Sequence, residues 1–366
     1  MTRKIRLGIL FGGKSAEHEV SLQSAKNVIE AVDREKYDMV LITINKQGQW
    51  HLADTSNFLL APDNPQLIKL APSDDKLGIV LGDEDHLFIR LKNKAPIDSL
   101  DVIFPVLHGP YGEDGTIQGL LKVANVPFVG ASVLGSAVGM DKDVMKRLLK
   151  DAGVPIARFV TLSRDEGEHP GFQELRDRLG LPLFIKPANL GSSVGVHKVS
   201  AEEQFEPALH DAFQFDTKIL VEEFIQGREI ECSVLGNENP IASVPGEILP
   251  QHEFYSYEAK YIDEKGALLE IPANLPADVV TAIQNMAVRS FRALCCEGMA
   301  RVDLFLRGRE EIIINEINTI PGFTRISMYP KLWEASGISY GELIDRLVTL
   351  AIERHDREKT LKTSYV

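Results

Sequence analysis

Hard oxygen donors sit in unusually apolar surroundings near residue 310. Residues 299–306 and 311–318 read as two strands joined by the turn Arg307-Gly308-Arg309-Glu310. Side chains alternate across a strand, so Arg301, Asp303 and Phe305 share one face of the first. Ile312, Ile314, Glu316 and Asn318 share one face of the second. Reflected through the turn, Asp303 falls roughly opposite 314–316, where Asp303, Glu316 and Asn318 can converge. Two carboxylates and a carboxamide suit Mg²⁺ rather than zinc, in a site shared with water and substrate phosphates. The competing reading is a solvated exposed hairpin. It is disfavoured because the run EIIINEIN sets these donors in apolar sequence, where unpaired charge is costly.

Anion-binding chemistry appears in the segment from Lys186 to Val196, KPANLGSSVGV. Gly191, Ser192, Ser193 and Gly195 supply backbone N–H groups and permit left-handed backbone, the makings of an anion nest with Lys186 at its base. It is not a Walker A loop, because strand-like VGVHKV follows instead of a helix; by itself such a segment is as often a plain hairpin turn. Lys142 opens an amphipathic helix, where a phosphate would also meet the helix dipole, although a lysine there is commonly a surface residue. Glu222 and Glu229 flank a turn and could accept from nucleoside hydroxyl and amino groups; the alternative is a surface charge cluster. The segment GGKSAEHE at 12–19 follows the first strand, at the end where open α/β sheets bind ligands. It lacks the G-x-G-x-x-G fingerprint; Glu17 suits an ammonium, and His18 reads as a neighbour. HGPYGEDG, from His108, holds a comparable edge position, as a helix cap or part of a second small-ligand pocket.

The elements that must position these groups follow from periodicity. A strand at 4–11, a helix capped by Ser21 and a strand at 38–44 make a βαβ unit. Residues 54–98 read as a loop-rich excursion, after which the sheet resumes at 101–107. The helix at 141–152 stops at Gly153-Val154-Pro155. Short β-branched runs at 183–186, 194–199, 218–225 and 229–235, with helix near 200–214, give an antiparallel α+β pattern. A loop-rich stretch to 275, a helix at 277–294, the hairpin and an amphipathic helix at 340–355 complete the chain, with a charged tail that frays. The fold class is therefore α/β and α+β, in three units at 1–137, 138–235 and 236–366.

At about 150 residues per domain, 366 residues allow two or three domains. Hydrophobic residues at 44% and charged residues at 25% exclude a disordered or fibrous chain. A net charge of −13 argues against nucleic acid as a partner, although cations gathered in one cleft could still hold an anion. Cys232, Cys295 and Cys296 cannot form a fully paired disulfide set and are expected to be buried packing residues. No apolar run is long enough to span a membrane, and MTRKIRLGILFGG is too broken for a signal peptide, so a cytoplasmic setting is expected.

Taken in order, GGKSAEHEVS, HGPYGEDG, MDKDVMK, KPANLGSSVGV, EAKY, RVDLF and NEINTIPGFT resemble the D-alanine–D-alanine ligases of the ATP-grasp superfamily. The resemblance is weakest at 54–98 and beyond 355. It implies a three-domain ATP-grasp architecture with an N-terminal parallel α/β (preATP-grasp) domain. It also implies a phosphate loop at 189–196 and a closing loop at 252–262. ATP and two Mg²⁺ (or Mn²⁺) ions would be used, with potassium activation a family property assigned to no residue. D-alanine would be the substrate, peptidoglycan precursor the destination, and a homodimer the form. Lys142, Lys186, Gly191, Ser193 and Lys260 would contact phosphates. Glu222, Glu223 (through its backbone) and Ile225 would line the adenine site, and Glu229 would take the ribose. Asp303, Glu316 and Asn318 would hold the metals. Glu17 would bind the first ammonium, in a hydrogen-bonded set with Ser192 and Tyr261 that could also relay a proton. Arg301 and the backbone at Gly322 would face the oxyanion, His108 would edge the first pocket, and Ser327 and Met328 would hold the second carboxylate. Tyr111 stands where the family commonly has glycine, which implies a differently shaped pocket edge, and Tyr261 resembles members selective for D-alanine. Ligases taking D-lactate or D-serine, other ATP-grasp carboxylate–amine ligases and a non-catalytic nucleotide binder are the alternatives; the missing fingerprint disfavours a dinucleotide-dependent oxidoreductase.

Overall fold

A computed structural model describes residues 3–82, 86–250, 267–362 and 364. The first part of the chain runs β1 (Ile5–Gly12), α1 (His18–Ala31), β2 (Tyr37–Ile44), β3 (Trp50–Ala53), β4 (Leu59–Leu60), β5 (Lys69–Leu70), β6 (Leu77–Ile79), β7 (Phe88–Arg90), β8 (Val102–Val106), α2 (Thr116–Val123) and α3 (Val133–Met140). The middle runs α4 (Lys142–Asp151), β9 (Phe159–Ser163), α5 (Phe172–Leu179), β10 (Leu183–Pro187), β11 (His197–Val199), α6 (Phe205–Phe215) and β12 (Lys218–Glu223). The last part runs β13 (Arg228–Gly236), β14 (Ile241–Ala242), β15 (Gly246–Pro250), β16 (Ala267–Glu270), α7 (Ala277–Ala293), β17 (Gly298–Arg307), β18 (Glu311–Asn318), α8 (Met328–Ala335) and α9 (Tyr340–Lys359).

Three main sheets result. The first, ordered β3-β2-β1-β8, has a parallel centre: β1 pairs in parallel with both β2 and β8, and β3 adds an antiparallel edge. Leu7, Ile9, Leu10 and Phe11 are all fully buried, the continuous apolar pattern of a parallel strand covered on both faces. Helix α1 begins earlier than its sequence suggested. Ser21 lies inside it as a buried strut: it accepts from the Gly12 N–H at 2.8 Å and donates to the Val106 carbonyl. The 54–98 excursion contains two small antiparallel ribbons, β4–β5 and β6–β7, and anchors itself by burying Leu77, Leu87, Phe88 and Ile97 against Leu10 and Ile103.

The second sheet, β11-β10-β12-β9, is antiparallel. Only 197–199 of the expected run 194–199 is strand, because Gly195 (φ +68°) belongs to the preceding turn. The third sheet, β16-β15-β13-β17-β18 with β14 alongside β13, is antiparallel as well. Strand β13, expected to close the middle unit, lies in this third sheet, paired along its length with β17. Residue 137 falls within α3, which meets α4 at Asp141; the Asp141 carboxylate accepts from the Val144 N–H and caps α4.

The first and third sheets share a core. Phe323, Tyr329 and Trp333, with Leu343 and Leu347 of α9, pack in one cluster with β1, β8 and α1. Helix α9 continues to Lys359 instead of fraying after His355, because Arg357 pairs with Glu297 and Glu358 with Lys122. Cys232 and Cys296 are buried as expected; Cys295 is exposed, in a left-handed residue (φ +54°) of the turn that ends α7. Arg354 is buried, donates to the Phe128 carbonyl at 2.7 Å and to the Gly130 carbonyl, and stacks 4.5 Å over the Phe128 ring. Arg354→Met removes donors from two buried carbonyls, so it is expected to lower unfolding free energy by about 3 kcal/mol in urea titration; a change below about 0.5 kcal/mol would contradict this clamp.

Candidate active site

The carboxylates of the hairpin reach the site because its two strands do not match residue for residue. Arg301 faces Asn318 and Asp303 faces Glu316, but Leu304 already faces Ile314, leaving Asn315 as an extra residue on β18. Strict alternation had put Ile312 and Ile314 on the same face as Glu316 and Asn318. The bulge corrects this by shifting the pleat by one. Ile312, Ile314 and Ile317 enter the core with Val302, Leu304 and Leu306, while Glu316 and Asn318 turn to the cleft with Arg301 and Asp303. Arg301 grips Asp303 through two hydrogen bonds of 2.7 Å and sits 2.9 Å from Glu231. Asn318 Nδ2 donates to Asp303 at 3.0 Å. Directly opposed carboxylates repel, and a hard cation suits such a donor set once the Asn318 amide presents its oxygen.

A cleft of about 360 Å³ opens between the second and third sheets. It gathers Lys142, Lys186, Gly191, Ser192, Ser193, Glu222, Glu223, Ile225, Glu229, Asp303 and Glu316 from six separate segments. One end is apolar, where Ala157, Ile225, Phe305 and Ile313 form a small cluster. The other end is cationic. Lys186 Nζ lies 2.8 Å from Glu222 and 3.4 Å from Asn315 Oδ1; Lys142 Nζ donates to the Leu190 carbonyl at 2.5 Å and lies 3.5 Å from Glu316. Ser192 (φ +54°) and Ser193 (φ +59°) adopt the left-handed backbone that a nest of N–H groups requires. Burial alone would raise the Glu222 carboxyl, but Lys146 and Lys186 outweigh it and hold it below the usual carboxylate range. The Glu223 side chain is held by Arg158 at 2.7 Å, so any role in the cleft falls to its backbone.

A smaller cavity of about 70 Å³ adjoins the cleft and shares Gly191, Ser192, Glu231 and Glu316 with it. Glu17, His108, Arg301, Asn318, Gly322, Ser327 and Met328 line it. Ser192 of the phosphate loop donates to Glu17 of the first unit, joining the two segments by one hydrogen bond. Gly109 passes so close that a Cβ there would overlap the Glu17 carboxylate. His108 is buried; its Nδ1 donates to the Ile320 carbonyl at 3.1 Å and its Nε2 accepts from Ser24 at 3.0 Å. Burial pushes its pKa down to about 4, so it is a neutral strut at the cavity wall. Tyr111 does not reshape the pocket: it is exposed, takes the left-handed conformation glycine favours (φ +67°), and carries Lys14 5.9 Å over its ring. Ser327 Oγ accepts from the Thr324 N–H at 2.9 Å and caps the cavity near Gly322. Lys260, Tyr261 and the 252–262 loop lie outside the described residues.

Several polar residues in or beside the site are not singled out by their sequence pattern. Glu231 lies opposite Asp303, and its signal was the alternation Glu229, Glu231, Ser233 on β13. Lys146 sits one helical turn after Lys142, a spacing that puts both on one face. Glu113 was visible only inside its motif. It lines the small cavity and accepts from the Gly109 N–H at 2.8 Å.

Two family models match the chain, "D-ala D-ala ligase N-terminus" over residues 6–131 and "D-ala D-ala ligase C-terminus" over residues 148–349. A D-alanine–D-alanine ligase of Oceanobacillus iheyensis is 60% identical over 361 residues, covering 99% of each chain. The chain belongs to the D-alanine–D-alanine ligase family. The ligase of Coxiella burnetii superimposes with a TM-score of 0.84 at 40% identity, covering 98% of this chain and 96% of that one. The VanG D-Ala:D-Ser ligase of Enterococcus faecalis gives 0.83 at 35%, covering 95% and 100%. A Bacillus anthracis D-alanine–D-alanine ligase complexed with ATP gives 0.72 at 27%, covering 97% and 99%. The architecture is thus the ATP-grasp fold of these ligases.

In this ligase chain the small cavity titrates near neutrality. Burial, with the nearby Glu17 charge, pushes the Glu113 carboxyl up to about 8, against the Gly109 N–H that lowers it. A carboxyl with a raised folded pKa loses its stabilisation as pH climbs from its unfolded value toward the folded one; His108, depressed, gains stability over the lower part of that range. Between about pH 6.5 and 8 only the Glu113 loss remains of the two. The wild type is therefore expected to lose about 2 kcal/mol relative to Glu113→Gln across that window. Parallel pH dependence of the two proteins in urea titrations would refute the buried proton.

Proposed function

We propose that this chain joins two D-alanine molecules into D-alanyl-D-alanine at the expense of ATP, supplying a peptidoglycan precursor in the cytoplasm. The observation that supports it most is the junction of the two cavities: a nucleotide-sized cleft with a cationic end opens beside a small polar cavity walled by Glu17, Arg301 and Ser327. In this reading residues 1–137 hold the first amino acid, the middle unit the phosphates, and the C-terminal unit the metal hairpin. The apolar cluster at Ile225 takes the adenine, with Glu222 and the Glu223 backbone beside it, and Glu229 takes the ribose. Lys142, Lys186, Lys260 and the nest at Gly191–Ser193 take the phosphates.

The chemistry follows from charge. A carboxylate is a poor acyl donor, so one oxygen of the first D-alanine carboxylate attacks the γ-phosphorus of ATP, the bond to ADP breaks, and an acyl phosphate forms. The lysines offset charge on the transferring group. Asp303, Glu316 and Asn318 would hold Mg²⁺ or Mn²⁺, which when bound supplies further neutralisation. Glu17 holds the first ammonium. Ser327 and Met328 hold the second D-alanine, whose amine gives up a proton through Ser192 and Tyr261 and attacks the acyl carbon. Arg301 and the Gly322 N–H face the oxyanion before phosphate leaves. Such a donor is worth on the order of a hundredfold in rate. Water would hydrolyse the acyl phosphate, so the Ser192–Glu17 hydrogen bond is read as a clasp that closes the loop over the reacting groups.

The test is ADP release from Mg-ATP with D-alanine, L-alanine, D-serine or D-lactate, alone and paired with D-alanine. Release with D-alanine alone, none with L-alanine, and a loss of about a hundredfold or more in Glu316→Gln at unchanged melting temperature are expected. Release only from mixed pairs would replace the product, and silence with every substrate would overturn the reading.

A further inference from the structure

Lys146 is a fully buried lysine that touches neither cavity. From α4 its Nζ lies 3.2 Å from Glu222 Oε1 and 5.9 Å over the Phe159 ring. The other Glu222 oxygen lies 2.8 Å from Lys186 Nζ. Two ammonium groups therefore share one carboxylate at the cationic end of the cleft, with Lys142 one helical turn away and Glu316 opposite. Burying an ammonium is costly, and a lone buried Lys–Glu pair is often no better than an apolar pair of the same volume. A second lysine on the same carboxylate changes the charge balance. With Lys186 alone, Glu222 would cancel its charge and hold it back from an anion. With Lys146 also present, the group of three keeps one net positive charge, and the carboxylate plane is fixed from behind.

We propose that Lys146 is a positioning residue for nucleotide phosphate: by occupying one oxygen of Glu222 it leaves Lys186 aimed at the cleft with its charge uncancelled. This rests on the cleft being the ATP site, and it concerns a residue that contacts no ligand. The effect is electrostatic, so its signature is a sign reversal between two variants. In Lys146→Met, Glu222 binds Lys186 alone and ATP binding weakens. Adding Glu222→Gln to that variant removes the competing charge and should recover part of the loss.

The experiment is calorimetric titration of the full-length protein with a non-hydrolysable ATP analogue and MgCl₂, alongside steady-state assays with D-alanine. Lys146→Met is expected to raise the nucleotide Kd and the ATP KM about tenfold or more, with the D-alanine KM within about twofold. A glutamine at 222 keeps an acceptor oxygen for the adenine while losing the charge, so Lys146→Met with Glu222→Gln is expected to bind the nucleotide more tightly than Lys146→Met alone. A merely structural lysine would leave the double variant binding no more tightly than Lys146→Met, or would move both KM values together; either result overturns the proposal, as does an unchanged Kd. If Lys146→Met does not fold, Lys146→Gln, which keeps a donor to Glu222 without the charge, should show the same ATP-specific loss, and an unchanged Kd there refutes it equally. Wild-type protein that binds the nucleotide but releases no ADP with D-alanine would contradict the ligase reading and leave this one standing.

Discussion

One inserted residue decides where the chemistry can occur. Without the bulge at Asn315, the β18 strand would send either Ile314 into the cleft or Glu316 into the core, and the second arrangement would bury a carboxylate among Val302, Leu304 and Leu306. The bulge lets one strand serve two environments, apolar on the face that packs on α7 and charged on the face that meets the cleft. It also frees the Asn315 side chain to meet Lys186, tying the third sheet to the second across the cleft. The remaining groups are arranged around that face: Arg301 and Glu231 on the neighbouring strands, Lys142 from α4, and the Gly191–Ser193 turn from the second sheet.

The site gathers several buried cations of an acidic chain and sets them among carboxylates. Lys142, Lys146, Lys186 and Arg301 all converge on it, and each is matched to a carboxylate: Glu316, Glu222 or the pair Asp303 and Glu231. The carboxylates hold the cations in place before a polyanion arrives, and shielding from solvent makes each charge count for more than it would at a surface. The small cavity follows another rule. Glu113 and His108 are held neutral by burial, so the charged walls of that cavity are Arg301 with Glu17, Glu231 and Glu316.

Much of this was legible in the chain itself, and the reasons differ by element. The strands of the first sheet were visible because KIRLGILF and DMVLITI are apolar without interruption, as a doubly covered parallel strand must be. Asp303, Glu316 and Asn318 were placed together by alternation and a turn, although the face of Ile312 and Ile314 came out inverted, since no local signal marks a bulge that only the packing of Leu304 demands. Periodicity groups 229–235 with the preceding short strands, whereas β13 pairs with β17 some seventy residues on, because periodicity says nothing of pairing. Ser21 looked like a helix cap because serine before an apolar period usually is one; its hydroxyl instead joins Gly12 to Val106, a contact set by tertiary neighbours. Lys146 and Glu231 were missed because charged residues in amphipathic or alternating runs normally face water, and only the approach of another sheet turns them inward.

The account depends on phosphate passing to a D-alanine carboxylate before the peptide bond forms. The most direct measurement is transfer of oxygen from D-alanine labelled with ¹⁸O in both carboxylate positions, incubated with Mg-ATP and followed by mass spectrometry of the released phosphate. An acyl phosphate requires that each phosphate formed with dipeptide carry one ¹⁸O from the carboxylate. Unlabelled phosphate appearing together with dipeptide would contradict it.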